Sequence, residues 1–111
     1  MAPMPRAATR SDVFNAIAEP QRRVILELLV SEERPVGDLV RLLGVAQPSV
    51  SKHLRVLRDV GLVHVRREGR NMLYRTNASG IQPLHDWAGA FERHWRHQLQ
   101  RIKQRAESKD P

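Results

Sequence analysis

The sequence predicts a mainly α fold with one β-hairpin (α+β), in the order α-α-α-α-β-β-α, and three observations carry that expectation. Apolar residues recur three or four positions apart through most of the chain. The period drops to two only across "LVHVRR" and "MLYRTN", and a glycine turn, "EGRN", lies between those two stretches. At 111 residues the chain has the length of one domain and can bury a single core without covalent staples. It contains no cysteine, which excludes disulfides, thiolate metal sites and cysteine nucleophiles.

Ser11 is a suitable N-cap for a first helix over residues 12–18, with Val13, Phe14 and Ile17 on one side. Glu19 and Pro20 interrupt it, and Pro20 then fits the first turn of a second helix in which Val24, Ile25, Leu28 and Leu29 face a core. Val36, Leu39, Val40 and Leu43 mark a short third helix that Gly44 can end in a left-handed conformation. A fourth helix follows after a very short turn. Its buried stripe is Val50, Leu54 and Leu57, spaced i, i+4, i+7, with Pro48 in the first turn and Gly61 as the C-terminal cap. Alanine stands at position 46, the expected N-cap, and forgoes about 1 kcal/mol of capping, so that either Gln47 is the true cap or DNA supplies the missing partner.

After the hairpin, one long helix is expected from 81 to about 105, with Leu84, Ala88, Phe91, Trp95, Leu99 and Ile102 in a single stripe. Residues 1–10 are expected to form a disordered arm, 11–105 the folded domain and 106–111 a disordered tail. The first ten residues, "MAPMPRAATR", hold no apolar segment, and nothing in the chain approaches the roughly 18 apolar residues of a membrane span. A soluble, cytoplasmic protein with no membrane partner is therefore expected.

The formal net charge of +7 is unevenly placed. Residues 1–46 hold six Lys and Arg against six Asp and Glu, whereas residues 47–76 hold seven against two, a net +5 in thirty residues. Such a local excess attracts polyanions, nucleic acid before an anionic membrane.

Two helices joined by a tight turn, the second apolar inside and polar outside, form a helix-turn-helix, and the basic hairpin after it supplies a wing. At 100° per residue, Pro48, Ser51, Lys52 and Arg55 lie opposite the stripe of the fourth helix, with Gln47 and Ser49 flanking its start. Gln and Ser can exchange hydrogen bonds with base edges, while Lys and Arg can reach guanine or phosphate. Arg66, Arg67 and Arg70 in the wing are placed for phosphates or a minor groove. His53 belongs to the candidate DNA-binding set by position, but it falls at the edge of the stripe and reads better as a packed, hydrogen-bonded histidine.

"EPQRRVILELL", "SVSKHLRVLRDVGLV" and "REGRNMLYR" occur in the order found in the ArsR/SmtB family of bacterial winged-helix repressors, which the chain resembles over about residues 12–102. The resemblance implies a homodimer in which first and last helices of two subunits pack together and present two fourth helices to successive major grooves of a palindromic operator. The residues agree: a last helix of about 25 residues is roughly 37 Å long, more than one small domain covers. Val13, Phe14, Leu84, Trp87, Ala88, Phe91, Trp95 and Leu99 are the expected dimer interface, the alternative being that Trp87, Phe91 and Trp95 fill an intramolecular core.

Many relatives bind metal through third-helix cysteines or through Asp and His pairs on the last helix. The third helix here has no thiol. On the last helix His94 and His97 share a face, but the positions where the family's Asp-x-His would fall are Pro83 and Ile81 in one register and Asp86 and Leu84 in the other. Solvated histidines explain His85, His94 and His97, so neither a metal nor a cofactor is expected, and the fuller match is to relatives without a metal site. A metal-responsive repressor and a winged-helix module for protein or RNA remain the alternatives. RNA is poorly supplied with stacking platforms, because only five aromatic residues occur and Tyr74 alone lies near the basic region. No nucleophile set, phosphate loop or paired carboxylates are legible, which argues against an enzyme.

Overall fold

Hydrophobic periodicity translates into six helices and one hairpin in the computed structural model, which describes residues 10–108. The helices α1 (Arg10–Ile17), α2 (Pro20–Val30), α3 (Val36–Leu43) and α4 (Gln47–Asp59) precede the strands β1 (Val63–Glu68) and β2 (Asn71–Thr76). A 3-10 turn (Ala78–Ile81) then leads into α5 (Gln82–Gly89) and α6 (Glu92–Ser108). The α3–α4 pair is the helix-turn-helix and β1–β2 is the wing.

The core gathers one stripe from each element: Val13 and Ala16 of α1, Ile25, Leu26 and Leu29 of α2, Leu39 of α3, Val50, Leu54 and Leu57 of α4, then Leu62 and Val63. Each fully buried aliphatic side chain contributes on the order of 1.5–3 kcal/mol of transfer free energy, so the three α4 residues bind that helix firmly in one rotational phase. Between α3 and α4 the chain turns through Gly44, whose φ of 67° is left-handed and whose N–H donates to the Val40 carbonyl at 2.9 Å. A second glycine answers a close approach: a Cβ on Gly80 would stand 2.6 Å from the Gly61 carbonyl oxygen, in the turn that returns the chain to α5.

The hairpin pairs Val63 with Thr76, Val65 with Tyr74 and Arg67 with Met72. Val63 and Thr76 are buried at its base, where the Thr76 hydroxyl donates to the Leu26 carbonyl at 2.7 Å and ties the wing to α2. On the other edge of β2, Arg34 adds one bridge: its N–H donates to the Tyr74 carbonyl at 3.0 Å and its carbonyl accepts from the Tyr74 N–H at 2.9 Å. A single bridging residue leaves no periodicity in the sequence, so this pairing has no local signal.

Three expectations are corrected. The last helix is not continuous: Ala90 N–H bonds to the Trp87 carbonyl and Phe91 N–H to that of Ala88, so the ladder tightens after Gly89 and restarts from Phe91. Glycine, with its low helix propensity, is the local weak point, whereas the apolar stripe passes over the break without a change of period. The helical boundaries are also wider: Arg10 is already helical and 106–108 continue α6, while 1–9 and 109–111 of the expected arm and tail lie outside the described residues. Finally, Val13 is 4% exposed within its own subunit, because its i, i+3 partner Ala16 turns that side of α1 onto the core, and so it is no surface residue for a second copy.

Ala46 is the N-cap of α4, with φ −65° and ψ 147° and no side-chain cap bond, which leaves Gln47 as the first helical residue rather than the cap. Replacing Ala46 with Ser is expected to raise stability by about 1 kcal/mol, read as a higher urea midpoint at unchanged m-value. An unchanged midpoint would mean that the first-turn amides are already satisfied.

Candidate nucleic-acid interface

Burying Val50, Leu54 and Leu57 turns the other side of α4 outward, and Gln47, Pro48, Ser49, Ser51, Lys52 and Arg55 are all exposed there. No ion pair engages Lys52 or Arg55 among the described residues. The face therefore combines two free cations with short hydroxyl side chains and one carboxamide, and only Gln47, Pro48 and Ser49 of the set lie in the first turn, where the macrodipole is positive. Such a surface can approach a base-pair edge closely at the serines and reach phosphate or guanine at its flank.

His53 does not belong to that outward face. Its Nδ1 accepts a hydrogen bond from Arg22 Nε at 3.2 Å, and its Nε2 lies 3.0 Å from Gln21 Oε1. With Nδ1 accepting, the ring is the Nε2–H tautomer and donates to Gln21. Arg22 continues the chain of contacts by donating to the Ala16 carbonyl at 3.2 Å. The clasp runs from α4 through α2 to α1, and both ring nitrogens are occupied within the subunit. Burial, followed by the charge of Arg22, lowers the His53 pKa below its usual 6.5, with Lys52 acting the same way and Glu19 opposing.

In the wing the three arginines separate by partner. Arg66 Nε donates to Glu33 at 2.6 Å and its other nitrogen to Glu68 at 3.1 Å, and the Glu33 hydrogen bond holds the guanidinium still more firmly protonated. This residue pins the hairpin to the segment after α2. Arg67 and Arg70 are exposed and make no ion pair among the described residues. Sequence spacing cannot separate these roles, because Glu33 lies thirty-three residues from Arg66 in the chain. Sequence reasoning also missed Arg58. It lines a groove of about 300 Å³ between α4 and β2 together with Ser51, Leu54, Arg55, Asp59 and Tyr74. Its spacing of three from Arg55 was the available signal.

A separate face carries the aromatic residues. Phe14 of α1 meets Trp87 of α5 edge-on with centroids 5.5 Å apart, and Trp87 meets Phe91 at 5.1 Å. Phe14, Ile17, Leu84, Trp87 and Ala88 line an apolar groove of about 510 Å³. Beyond it Trp95 and Leu99 stand 52% and 64% exposed, a continuous apolar surface that a single subunit leaves in water. Nearby, Asp86 accepts a hydrogen bond from Gln82 at 3.0 Å. Among the described residues no three His, Cys, Asp or Glu side chains stand close enough together to share a metal ion, and no helix is long and apolar enough to cross a membrane.

Residues 19–65, which span α2 to the middle of β1, match the family described as bacterial regulatory protein, arsR family. The transcriptional repressor SdpR of Bacillus subtilis is 32% identical over 77 residues, covering 69% of this chain and 86% of that protein. Among solved structures, an ArsR-like transcriptional regulator from Rhodococcus sp. RHA1 superposes with a TM-score of 0.66 at 28% identity, over 87% of this chain and 92% of that one. The homodimeric winged helix-turn-helix DNA-binding domain of a possible ArsR-family regulator from Mycobacterium bovis, solved by NMR, gives 0.62 at 30% identity, over 74% and 76%. The matched segment contains the whole of α3 and α4, and the chain belongs to the ArsR family of bacterial transcriptional regulators.

Proposed function

We propose that the protein is a non-catalytic, cytoplasmic repressor that binds a palindromic DNA operator as a homodimer. The observation that carries this reading is the outward face of α4, where Lys52 and Arg55 have no ion-pair partner among the described residues and stand beside Gln47, Ser49 and Ser51 while the opposite side is sealed in the core. Gln47, Ser49 and Ser51 read base edges, with Pro48 setting the entry of the helix. Lys52 and Arg55 bind guanine or phosphate, and Arg67 and Arg70 grip the backbone from the wing. The second copy packs on the face of Phe14, Leu84, Trp87, Ala88, Phe91, Trp95 and Leu99, which supports the two-fold arrangement that successive major grooves require.

Alanine at Arg55 or Lys52 is expected to weaken operator binding by about 1–3 kcal/mol, roughly fivefold to 150-fold, against no measurable change for Gln104→Ala on α6. A fluorescence anisotropy titration decides it, and equal affinities for all three variants would remove the assigned face.

The His53 clasp gives the fold an acid-sensitive joint. The ring is held neutral, so its folded pKa lies below the unfolded value near 6.5, and the unfolded chain takes up the proton first as pH falls. The stability it contributes is complete above about pH 6.5 and is lost as acid carries the solution through and below that value. Urea unfolding at about pH 7.5 and pH 5.5 is expected to show a smaller acid loss for His53→Gln than for the natural sequence. Identical losses would show that the joint carries no proton linkage.

A further inference from the structure

We propose that the groove between α4 and β2 is a seat for one phosphodiester of the DNA backbone, held by Arg58, Arg55 and the hydroxyl of Tyr74. The inference rests on the DNA-binding reading above and adds to it Arg58 and Tyr74, two contacts that continue the α4 outward face past Arg55 toward the base of the wing.

Ser51, Arg55 and Arg58 follow one another at i, i+4 and i+7, a single line along α4 that descends from the centre of its outward face toward the wing. Both arginines are exposed, and neither has a hydrogen-bond or ion-pair partner among the described residues. They remain unpaired although Asp59, the one carboxylate on the groove, is adjacent. Opposite them stands Tyr74. Its backbone is locked on both sides, by Val65 across the hairpin and by the Arg34 bridge, and its ring packs against the core. The phenol hydroxyl makes no bond among the described residues and is not sealed from water.

A groove of about 300 Å³ with two guanidinium forks on one wall and a fixed neutral donor on the other suits a tetrahedral monoanion. Its position selects the source. It opens between the helix that enters a major groove and the wing that reaches past it, where the sugar-phosphate strand bordering that groove has to run. The rigid hydroxyl fixes where the phosphate sits, while Asp59 opposes it and limits affinity for DNA of any sequence.

The full-length protein, titrated by anisotropy against a labelled duplex of roughly 30 base pairs and arbitrary sequence between about 0.05 and 0.2 M KCl, tests the assignment. Arg58→Gln is expected to lower affinity roughly tenfold and to flatten the slope of log K against log salt by about 1.8, about 0.9 for each subunit of the dimer. Tyr74→Phe loses about threefold or more with the slope unchanged, since the group removed is uncharged, and Asp59→Asn binds more tightly. Arg101→Gln on α6, which removes the same charge elsewhere, keeps the natural slope, and the thermal midpoints of Arg58→Gln and Tyr74→Phe match the natural sequence. The seat is overturned if Arg58→Gln binds like the natural sequence, if Arg101→Gln flattens the slope as much, or if the Tyr74→Phe loss tracks a lowered midpoint. A natural sequence with no salt-dependent duplex binding would instead remove the DNA-binding reading itself.

Discussion

Everything outward on this molecule depends on the burial of Val50, Leu54 and Leu57, none of them more than 2% exposed. A helix cannot rotate about its axis without withdrawing such a stripe from the core, and truncating one buried leucine typically costs 2–5 kcal/mol, on the order of a third of a small domain's whole stability. The stripe therefore acts as a rotational lock. Once it is closed, the 100° step between residues decides that Ser51, Lys52 and Arg55 face solvent and that His53 does not.

Polar contacts then place the neighbours of α4. The His53 ring engages Gln21 and Arg22, Thr76 bonds to Leu26, and Arg34 bridges to Tyr74, so helix, wing and the segment between α2 and α3 share one frame. These contacts also divide the basic residues into two populations. Arg22, Arg34 and Arg66 are engaged inside the subunit, with His53, Leu28 and Glu33 among their partners. Among the described residues, Lys52, Arg55, Arg58, Arg67, Arg70 and Arg75 on α4 and the wing remain available, as do Arg93 and Arg101 on α6. The net charge of +7 alone does not reveal that division, and most of the available group lies along α4 and the wing.

Local signals were legible in the sequence wherever a repeating pattern met a matching partner. The stripes of α2, α3 and α4, the left-handed Gly44 and the two-residue period of the hairpin each stood in the chain before the fold was known, and so did the outward residues of α4. Contacts between distant residues were not legible. Nothing near Arg66 announces Glu33, one bridging residue at Arg34 has no period to detect, and the Gln21 and Arg22 partners of His53 are more than thirty residues away. The break after Gly89 escaped for a different reason: the spacing of Ala88, Phe91 and Trp95 satisfies a continuous helix and a broken one equally well. Val13 shows the limit of a face assigned from one helix alone, because helical spacing marks an apolar side without saying which neighbour covers it.

The most direct measurement is a backbone amide NMR titration of the isotope-labelled protein with duplex DNA. If the rotational lock governs function, shift changes concentrate at Gln47, Ser49, Ser51, Lys52 and Arg55 and at the wing residues Arg67 and Arg70, while the buried side of α2 stays still. Changes centred on α2 or α6, with the outward amides of α4 unmoved, would contradict it.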